Sequence, residues 1–270
     1  MPDEDILILP PPPADQRIAY DEGQLRFGDL RLPADAAGAC AVVVLLHGGY
    51  WRARYGLDYF GHAAAALAAA GYVSWNVEYR RIGHAGGGWP GTFADVAAAT
   101  DFLRTLADAY PLDLRRVVAL GHSAGGQLAL WLAARHRLAA DSPLHTPDPL
   151  LPHAAVSLAG VLDLRRASAL RLSNTAVHEL LDGPPEQYDQ RYAAVSPADL
   201  LPLGVRQILL HGTADDSVPY EISRDYAEAA RAAGDPVTLT ALPGAGHFAL
   251  VDPRTAEWRA TLDAVHSAVR

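Results

Sequence analysis

Residues 121–125, which read Gly-His-Ser-Ala-Gly, stand directly between two apolar segments. The segment before them, Arg116–Leu120, is predicted as a strand, and the segment after them, Gly125–His136, is predicted as a helix. A turn this tight from strand to helix forces its central residue into a strained backbone conformation. Side chains at the two flanking positions would collide with the strand and the helix, so glycine is needed at both. The pattern predicts that Ser123 projects above the edge of a sheet, with a helix N-terminus facing its reaction site.

The rest of the chain alternates between strand and helix patterns. The predicted strands are Arg17–Tyr20, Gln24–Leu32, Ala41–Leu46, Tyr72–Val77, His153–Leu158, Arg206–Leu210 and Val237–Ala241, and the predicted helices are Leu57–Ala70, Thr92–Ala109, Tyr220–Ala233 and Arg254–Val269. Such alternation predicts an α/β fold with a mostly parallel central sheet and helices on both faces. The first two strands are predicted to form an antiparallel pair, preceded by an exposed arm of prolines at 10–13. Neither an internal repeat nor a low-complexity linker occurs, so residues 1–270 are predicted to form a single domain.

One stretch, at about 163–201, interrupts the alternation. It carries several short helical fragments around Gly183-Pro184-Pro185 and lies between two predicted strands. A long insertion in a compact domain is often functional, and this one is expected to form a small lid over the strand ends. The alternative is an insertion without a functional role.

Charge and composition exclude several classes of chemistry. The chain carries a net charge of −9, and all 22 of its basic residues are arginine. The absence of lysine rules out a Schiff-base lysine, a P-loop lysine and a Ser-Lys dyad. No block of basic residues occurs, so neither nucleic acid nor a membrane surface is expected as a partner. No metal-ligand motif is recognisable, and the expectation is an enzyme without metal or cofactor.

The expected location is the cytoplasm. The first five residues are acidic where a secretory signal would be basic, and no stretch is apolar for long enough to span a bilayer. The single cysteine, Cys40, allows no internal disulfide, which fits a reducing compartment.

The turn at residues 121–125 is called the elbow below. A serine hydroxyl is a weak nucleophile until a base removes its proton, so a histidine is expected close to Ser123. In folds with this kind of elbow the chain order is serine, acid, histidine. His247 follows the last predicted strand in the sequence Gly244-Ala245-Gly246-His247. The small residues before it allow a loop to carry the imidazole to Ser123, so His247 is predicted as the base.

Two adjacent aspartates compete for the role of the acid. Asp215 and Asp216 both follow the predicted strand Arg206–Leu210, in the sequence His-Gly-Thr-Ala-Asp-Asp. Asp215 is favoured because it stands where the pattern H-G-x-x-D places the acid, whereas Asp216 suits a cap of the turn or of the next helix. Its predicted role is to fix the tautomer of His247 and stabilise the imidazolium.

Backbone amides are needed to stabilise a developing oxyanion. Ala124, next to the nucleophile, is expected to supply one. Gly49 and Tyr50 are expected to supply the others, from the turn His47-Gly48-Gly49-Tyr50-Trp51 after the strand Ala41–Leu46. Glycine allows close approach of the backbone to a substrate, and His47 is expected to hold the turn. The alternative is an ordinary turn with two glycines.

Together these motifs resemble the α/β-hydrolase superfamily over nearly the whole chain. The more specific resemblance is to the branch that contains kynurenine formamidases (arylformamidases) and small carboxylesterases. It is carried by His-Gly-Gly-Tyr-Trp at 47–51, by Gly-His-Ser-Ala-Gly-Gly at 121–126, and by Ala-Gly-Val-Leu-Asp-Leu at 159–164 leading to Ser196-Pro197. The resemblance implies a serine hydrolase that cleaves small or aromatic esters or formyl-arylamides, N-formylkynurenine among them. It also implies a lid at the insertion.

Aromatic residues near the predicted oxyanion turn suggest the kind of substrate. Tyr50 and Trp51 are expected to bind the substrate, since aromatic side chains pack well against an aryl group. The partner is therefore expected to be a small-molecule ester or amide, and a homodimer is left open. Two alternatives remain: a prolyl-oligopeptidase-like peptidase, which shares the HGTADD segment, and a ligand receptor on a hydrolase fold.

Overall fold

The computed structural model of the protein describes residues 2–36 and 38–270. Its strands are β1 (Gln16–Ala19), β2 (Phe27–Arg31), β3 (Cys40–Leu46), β4 (Val73–Val77), β5 (Leu112–His122), β6 (Ala154–Leu158), β7 (Arg206–Gly212) and β8 (Val237–Leu242). They form one eight-stranded sheet in the order β1-β2-β4-β3-β5-β6-β7-β8. The strands β3 to β8 are mutually parallel, and β2 is antiparallel to both of its neighbours. The predicted α/β-hydrolase fold with a mostly parallel sheet is confirmed.

Nine α-helices connect or flank these strands in the part of the chain that the structure describes. They are α1 (Gly61–Ala69), α2 (Gly91–Asp101), α3 (Leu103–Leu106), α4 (Ala124–Ala133), α5 (Leu164–Ala169), α6 (Leu172–Leu181), α7 (Pro185–Val195), α8 (Tyr220–Ala232) and α9 (Trp258–Ala268). The long helix predicted over Thr92–Ala109 is divided into α2 and α3 at Phe102. No described helix combines the length and the apolar character needed to cross a membrane.

The core lies on both faces of the sheet, as the continuous apolar run in β3 requires. Val42, Val44 and Leu46 of β3 belong to one buried cluster, and Val43 and Leu45 belong to another on the opposite face. Successive side chains of a strand point to opposite faces, so both faces must be covered by helices to bury this run. All five side chains are fully buried.

Parallel strands bring their carboxyl ends to one edge of the sheet, and the loops that follow β3, β5, β7 and β8 meet there. These loops carry the oxyanion turn at 47–51, the elbow at 121–125, Asp215 and His247. This edge is where open α/β sheets place their ligand sites.

The insertion between β6 and β7 folds into α5, α6 and α7, followed by a short 3-10 turn at Pro197–Leu200. It packs on α4 and the loop before α2: Gln127 Nε2 and Trp131 Nε1 donate to the carbonyls of Val195 and Ala194, and the Trp89 amide donates to Leu180. None of residues 163–201 lines the cleft that contains Ser123. The lid role therefore stays a prediction.

The start of the chain makes a 3-10 turn at Pro2–Leu7, ahead of the proline arm predicted at 10–13. Ile6 is fully buried in the same cluster as Tyr59 and Phe60. The arm that follows is tied down where Arg31 Nη2 donates to the Pro12 carbonyl at 2.7 Å. The N-terminal segment is thus packed against the loop that leads into α1.

Candidate active site

Ser123 lies at the junction of β5 and α4 in a conformation that L-residues seldom adopt, with φ 57° and ψ −121°. Its amide donates to the Leu158 carbonyl at 2.8 Å, which fixes the turn against β6. A Cβ at Gly121 would lie 1.9 Å from the Gly125 carbonyl oxygen, and a Cβ at Gly125 would lie 1.9 Å from that of Leu46. Both flanking glycines are therefore required by the packing, and the strain at Ser123 is of the kind found at functional sites.

Asp215 and His247 are in direct contact. The His247 Nδ1 to Asp215 Oδ2 distance is 2.7 Å, and neither side chain is more than 6% exposed. The other carboxylate oxygen of Asp215 accepts from the amides of Ser217 and Val218 at 2.9 and 2.8 Å. Burial by itself would raise the pKa of Asp215, but the contacts from His211 and His247 and the Val218 amide hold it well below its usual range. Asp215 is therefore an anion that faces the imidazole.

His211 also contacts this carboxylate, and the sequence analysis assigned it no role. Its Nε2 lies 2.9 Å from the Val218 carbonyl and 3.3 Å from Asp215 Oδ2, and its Nδ1 lies 2.7 Å from Ser223 Oγ. A carbonyl only accepts, so Nε2 carries the proton and Nδ1 accepts from Ser223. His211, the first residue of the HGTADD segment, therefore stabilises the loop that carries Asp215.

Asp216 does not point into the site. It is exposed, and its side chain accepts only from Ser217 Oγ, at 3.2 Å, among the described residues. The structure therefore places Asp215, and not Asp216, beside the imidazole.

Ser123 and His247 line one cleft of about 440 Å³ at the edge of the sheet. Among the hydrogen bonds of the described residues, none joins Ser123 Oγ to His247 Nε2. Such contacts are often long in ligand-free enzymes and tighten when substrate binds. The remaining cleft residues are Glu4, Leu7, Ile8, Gly49, Tyr50, Arg54, Tyr55, Tyr59, His122, Ser217 and Phe248.

Two residues of the turn after β3, Gly49 and Tyr50, line this cleft. Gly49 has φ 105° and Tyr50 has φ 50°, so both are in left-handed conformations that turn the backbone sharply. In the described part of the chain, no acceptor is bonded to the amides of Gly49, Tyr50 or Ala124. Amides left free at such a point are suited to bind an oxyanion.

The turn is held from below by a buried polar cluster. His47 Nδ1 lies 2.8 Å from the Gly48 carbonyl, and its Nε2 lies 3.2 Å from Glu78 Oε1. The ring of His47 stacks on Tyr79 at 4.3 Å. Burial would raise the pKa of Glu78, but the His47 and Arg81 side chains and the Tyr79 amide lower it overall. His47 therefore lies where a support for the turn was predicted.

A second chain of hydrogen bonds connects the turn, the elbow and the base loop. The Gly48 amide donates to Tyr59 Oη at 2.6 Å, and Tyr59 Oη lies 2.9 Å from His122 Nδ1. His122 Nε2 lies 3.0 Å from the His247 carbonyl. Burial, together with the neighbouring His247, lowers the pKa of His122 well below the usual histidine range, so the ring is neutral. The sequence analysis assigned Tyr59 only to the predicted helix Leu57–Ala70, whereas the structure places it in a 3-10 turn at Asp58–Phe60 before α1.

Tyr50 and Trp51, the two predicted substrate contacts, have different positions. Tyr50 lines the cleft, and its hydroxyl donates to the Ser217 carbonyl. Burial and the nearby Asp215 raise the pKa of Tyr50 to about 12. Trp51 is fully buried, does not line the cleft, and donates from Nε1 to Gln127 Oε1 at 3.1 Å. The structure thus differs from the expectation for Trp51: its indole N–H is satisfied inside the core, and its side chain has no exposed surface with which to contact a substrate in the cleft.

No group of three or more His, Cys, Asp or Glu side chains within residues 2–36 and 38–270 is arranged to hold a metal ion.

Solved structures with a similar fold include several esterases. A truncated carbohydrate esterase from gut microbiota superposes with a TM-score of 0.80 at 21% identity, over 95% of this chain and 99% of that one. A thermophilic esterase of Thermogutta terrifontis, Est2 with propionate bound, superposes with a TM-score of 0.77 at 26% identity, over 94% of this chain and 93% of that one. Esterase 2 of the same organism, phosphoramylated by tabun, superposes with a TM-score of 0.75 at 25% identity, over 93% of this chain and 92% of that one. None of the curated proteins matches the chain.

The fold, the serine elbow and these neighbours define the class of the protein, a serine hydrolase of the α/β-hydrolase superfamily. Within that class the chain belongs to the BD-FAE family, whose model matches residues 29–229.

Proposed function

We propose that the protein hydrolyses small or aromatic carboxylic esters through an acyl-enzyme, with Ser123 as nucleophile, His247 as general base and Asp215 as the acid that orients the base. The observation that carries this proposal is the 2.7 Å contact between His247 Nδ1 and Asp215 Oδ2, in a cleft that His247 shares with Ser123. A carboxylate bound to Nδ1 keeps that nitrogen protonated, which leaves Nε2 free to accept a proton.

In the acylation step, Ser123 Oγ attacks the ester carbonyl while its proton passes to His247 Nε2. The carbonyl electrons move onto oxygen, and the amides of Gly49, Tyr50 and Ala124 donate to that oxyanion. Collapse of the intermediate breaks the bond to the alkoxy group, which leaves with the proton from His247. The buried anion of Asp215 stabilises the transient imidazolium.

In the deacylation step, water repeats the sequence. His247 takes a proton from water as it attacks the acyl group on Ser123, and the same amides bind the second oxyanion. The proton then returns to Ser123 Oγ, and the carboxylic acid is released. One ester and one water thus give one acid and one alcohol.

Two observations support esters with small acyl groups. The cleft of about 440 Å³ has room for a small substrate and is lined by Tyr50, Tyr55, Tyr59 and Phe248. The solved Thermogutta terrifontis Est2 structures at 26% identity include one with propionate and one with butyrate bound. We extend the proposal to formyl-arylamides, N-formylkynurenine among them, on the strength of the sequence motifs at 47–51 and 121–126.

The proposal is tested by comparing Ser123→Ala with Ser217→Ala, a second serine of the same cleft. We expect Ser123→Ala to lose at least about 10³-fold in kcat on p-nitrophenyl acetate, since only the oxyanion donors and binding remain. Ser217→Ala should lose far less. Esterase activity near the wild-type level in a folded Ser123→Ala protein would exclude Ser123 as nucleophile.

The substrate class is tested with a panel of p-nitrophenyl acetate, butyrate and palmitate, N-formylkynurenine and a prolyl-naphthylamide. We expect kcat/KM to be highest for the short esters or the formyl-arylamide. A maximum at palmitate, or faster cleavage of the prolyl-amide than of every ester, would contradict the proposed substrate class.

A further inference from the structure

The N-terminal segment forms part of the cleft wall. Leu7 and Ile8 line the same cleft as Ser123 and His247, although some 115 residues of sequence separate them from the elbow. Neither residue belongs to a catalytic motif. The segment therefore contributes to the substrate cleft in a way that the chemistry of the triad does not require.

Ile8 is the most exposed large hydrophobic side chain of the described residues. It is 82% exposed, and the only other such residue in that part of the chain, Leu170, is 48% exposed. A single exposed hydrophobic residue is common on protein surfaces and needs no explanation by itself. Ile8 differs from Leu170 in its position, because it lies at the mouth of a cleft lined by Tyr55 and Phe248.

The backbone that carries Ile8 is fixed on both sides. Ile6 is fully buried against Tyr59 and Phe60, and the Ile8 amide donates to the Asp5 carbonyl at 3.1 Å. Two hydrogen bonds fix the chain after Ile8. The Leu9 carbonyl lies 3.4 Å from His62 Nε2, and the Pro12 carbonyl accepts from Arg31 Nη2 at 2.7 Å. Ile8 is thus presented to solvent by an anchored segment, as a preformed binding wall requires.

We propose that Leu7 and Ile8 form an apolar subsite that binds the hydrocarbon part of the substrate and sets the preference for its size. This inference rests on the proposed ester hydrolysis and deepens it. A substrate group that covers Ile8 removes apolar surface from water, which stabilises the complex.

An apolar occupant fits the charge of the cleft better than an ionic one. The two charged residues of its lining, Glu4 and Arg54, have opposite signs. They give the mouth no net preference for either sign, and Arg54 also lies 5.2 Å from the centre of the Tyr55 ring. Discrimination is therefore left to the hydrocarbon surface.

Two series of esters test the subsite in the variants Ile8→Ser and Ile8→Ala, with Leu170→Ser as the matched control. One series varies the acyl chain from acetate to hexanoate on p-nitrophenol, and the other varies the alcohol from ethyl to hexyl on acetate. We expect Ile8→Ser to lower the ratio of kcat/KM between the longest and shortest member by about three- to tenfold in one series. Ile8→Ala should lower it less, and Leu170→Ser should leave it unchanged.

The series that responds identifies which part of the substrate contacts the segment. An unchanged ratio in both series, or the same change in Leu170→Ser, would overturn the subsite. Labelling of Ser123 by a fluorophosphonate probe separates this result from a failure of the proposed function. A protein that neither reacts with the probe nor cleaves acetates refutes ester hydrolysis, whereas one that does both but shows no effect of Ile8 refutes the subsite alone.

Discussion

His122, the residue before the nucleophile, can occupy only one protonation state in this site. Its Nε2 faces the His247 carbonyl, which only accepts, so the proton of the neutral ring is on Nε2. Its Nδ1 must then accept, and Tyr59 Oη donates to it. The Tyr59 oxygen in turn accepts from the Gly48 amide. The direction of every hydrogen bond from the oxyanion turn to the base loop is therefore determined.

Tyr59→Phe tests this chain as a positioning element. The change leaves a buried Gly48 amide and His122 Nδ1 without partners, and an unsatisfied buried group costs about 1–3 kcal/mol. We expect kcat to fall by about tenfold or more with KM little changed, because the turn and the base loop lose their common support. Tyr72→Phe is the control, since the Tyr72 hydroxyl makes no hydrogen bond to the described residues. Equal kcat values in the two variants would show that Tyr59 does not position the oxyanion turn or the base loop.

The choice between the two aspartates is tested by Asp215→Asn and Asp216→Asn. Asp215 holds His247 Nδ1 at 2.7 Å, whereas Asp216 is exposed and bonds only to Ser217 within the described chain. We expect Asp215→Asn to lower kcat by on the order of 10⁴-fold, because the amide favours the wrong tautomer of the base. Asp216→Asn should change kcat only slightly. The reverse ranking would mean that the acid is Asp216.

At the scale of single elements, the packing of the elbow requires glycine on both sides of the serine, at Gly121 and Gly125. A Cβ at Gly121 would meet the Gly125 carbonyl at 1.9 Å, so the turn between β5 and α4 would have to open. We expect Gly121→Ala to lower the free energy of unfolding by about 1–3 kcal/mol and to lower activity as well. Gly38→Ala is the matched control, because a Cβ there meets nothing within 4 Å. Chemical denaturation of both variants measures the difference, and equal midpoints would show that the elbow tolerates the side chain.

Elements built from local patterns could be predicted from the sequence, and contacts between distant elements could not. The strand β3 and the turn after β5 can be predicted from a few adjacent residues, the apolar run and the flanking glycines. The roles of Trp51 and Ile8 cannot be predicted in this way, because an aromatic or aliphatic residue is equally suited to a core and to a binding surface. The fold decides between these roles: it buries Trp51 against Gln127 and leaves Ile8 exposed at the cleft.

At the scale of the whole molecule, the buried carboxylate of Asp215 makes the free energy of unfolding depend on pH. Its pKa in the folded protein lies well below its usual value, so the unfolded chain binds a proton more readily. Its contribution is fully present above the unfolded pKa of about 3.9 and is lost as the pH falls toward the folded pKa. We expect the difference in free energy of unfolding between the wild type and Asp215→Asn to be constant near neutral pH and to shrink below about pH 4. Denaturation curves of both proteins from pH 3 to pH 7 measure it, and a difference independent of pH would contradict the depressed pKa.

The role of Ser123 as nucleophile is tested most directly by identifying the residue that a fluorophosphonate probe modifies. We expect a single adduct per chain, located by peptide mass spectrometry on Ser123, whose appearance parallels the loss of hydrolysis of p-nitrophenyl acetate. The Ser123→Ala protein should remain unlabelled. An adduct on another residue that parallels the loss of hydrolysis, or full hydrolysis by a protein labelled completely at Ser123, would contradict that role.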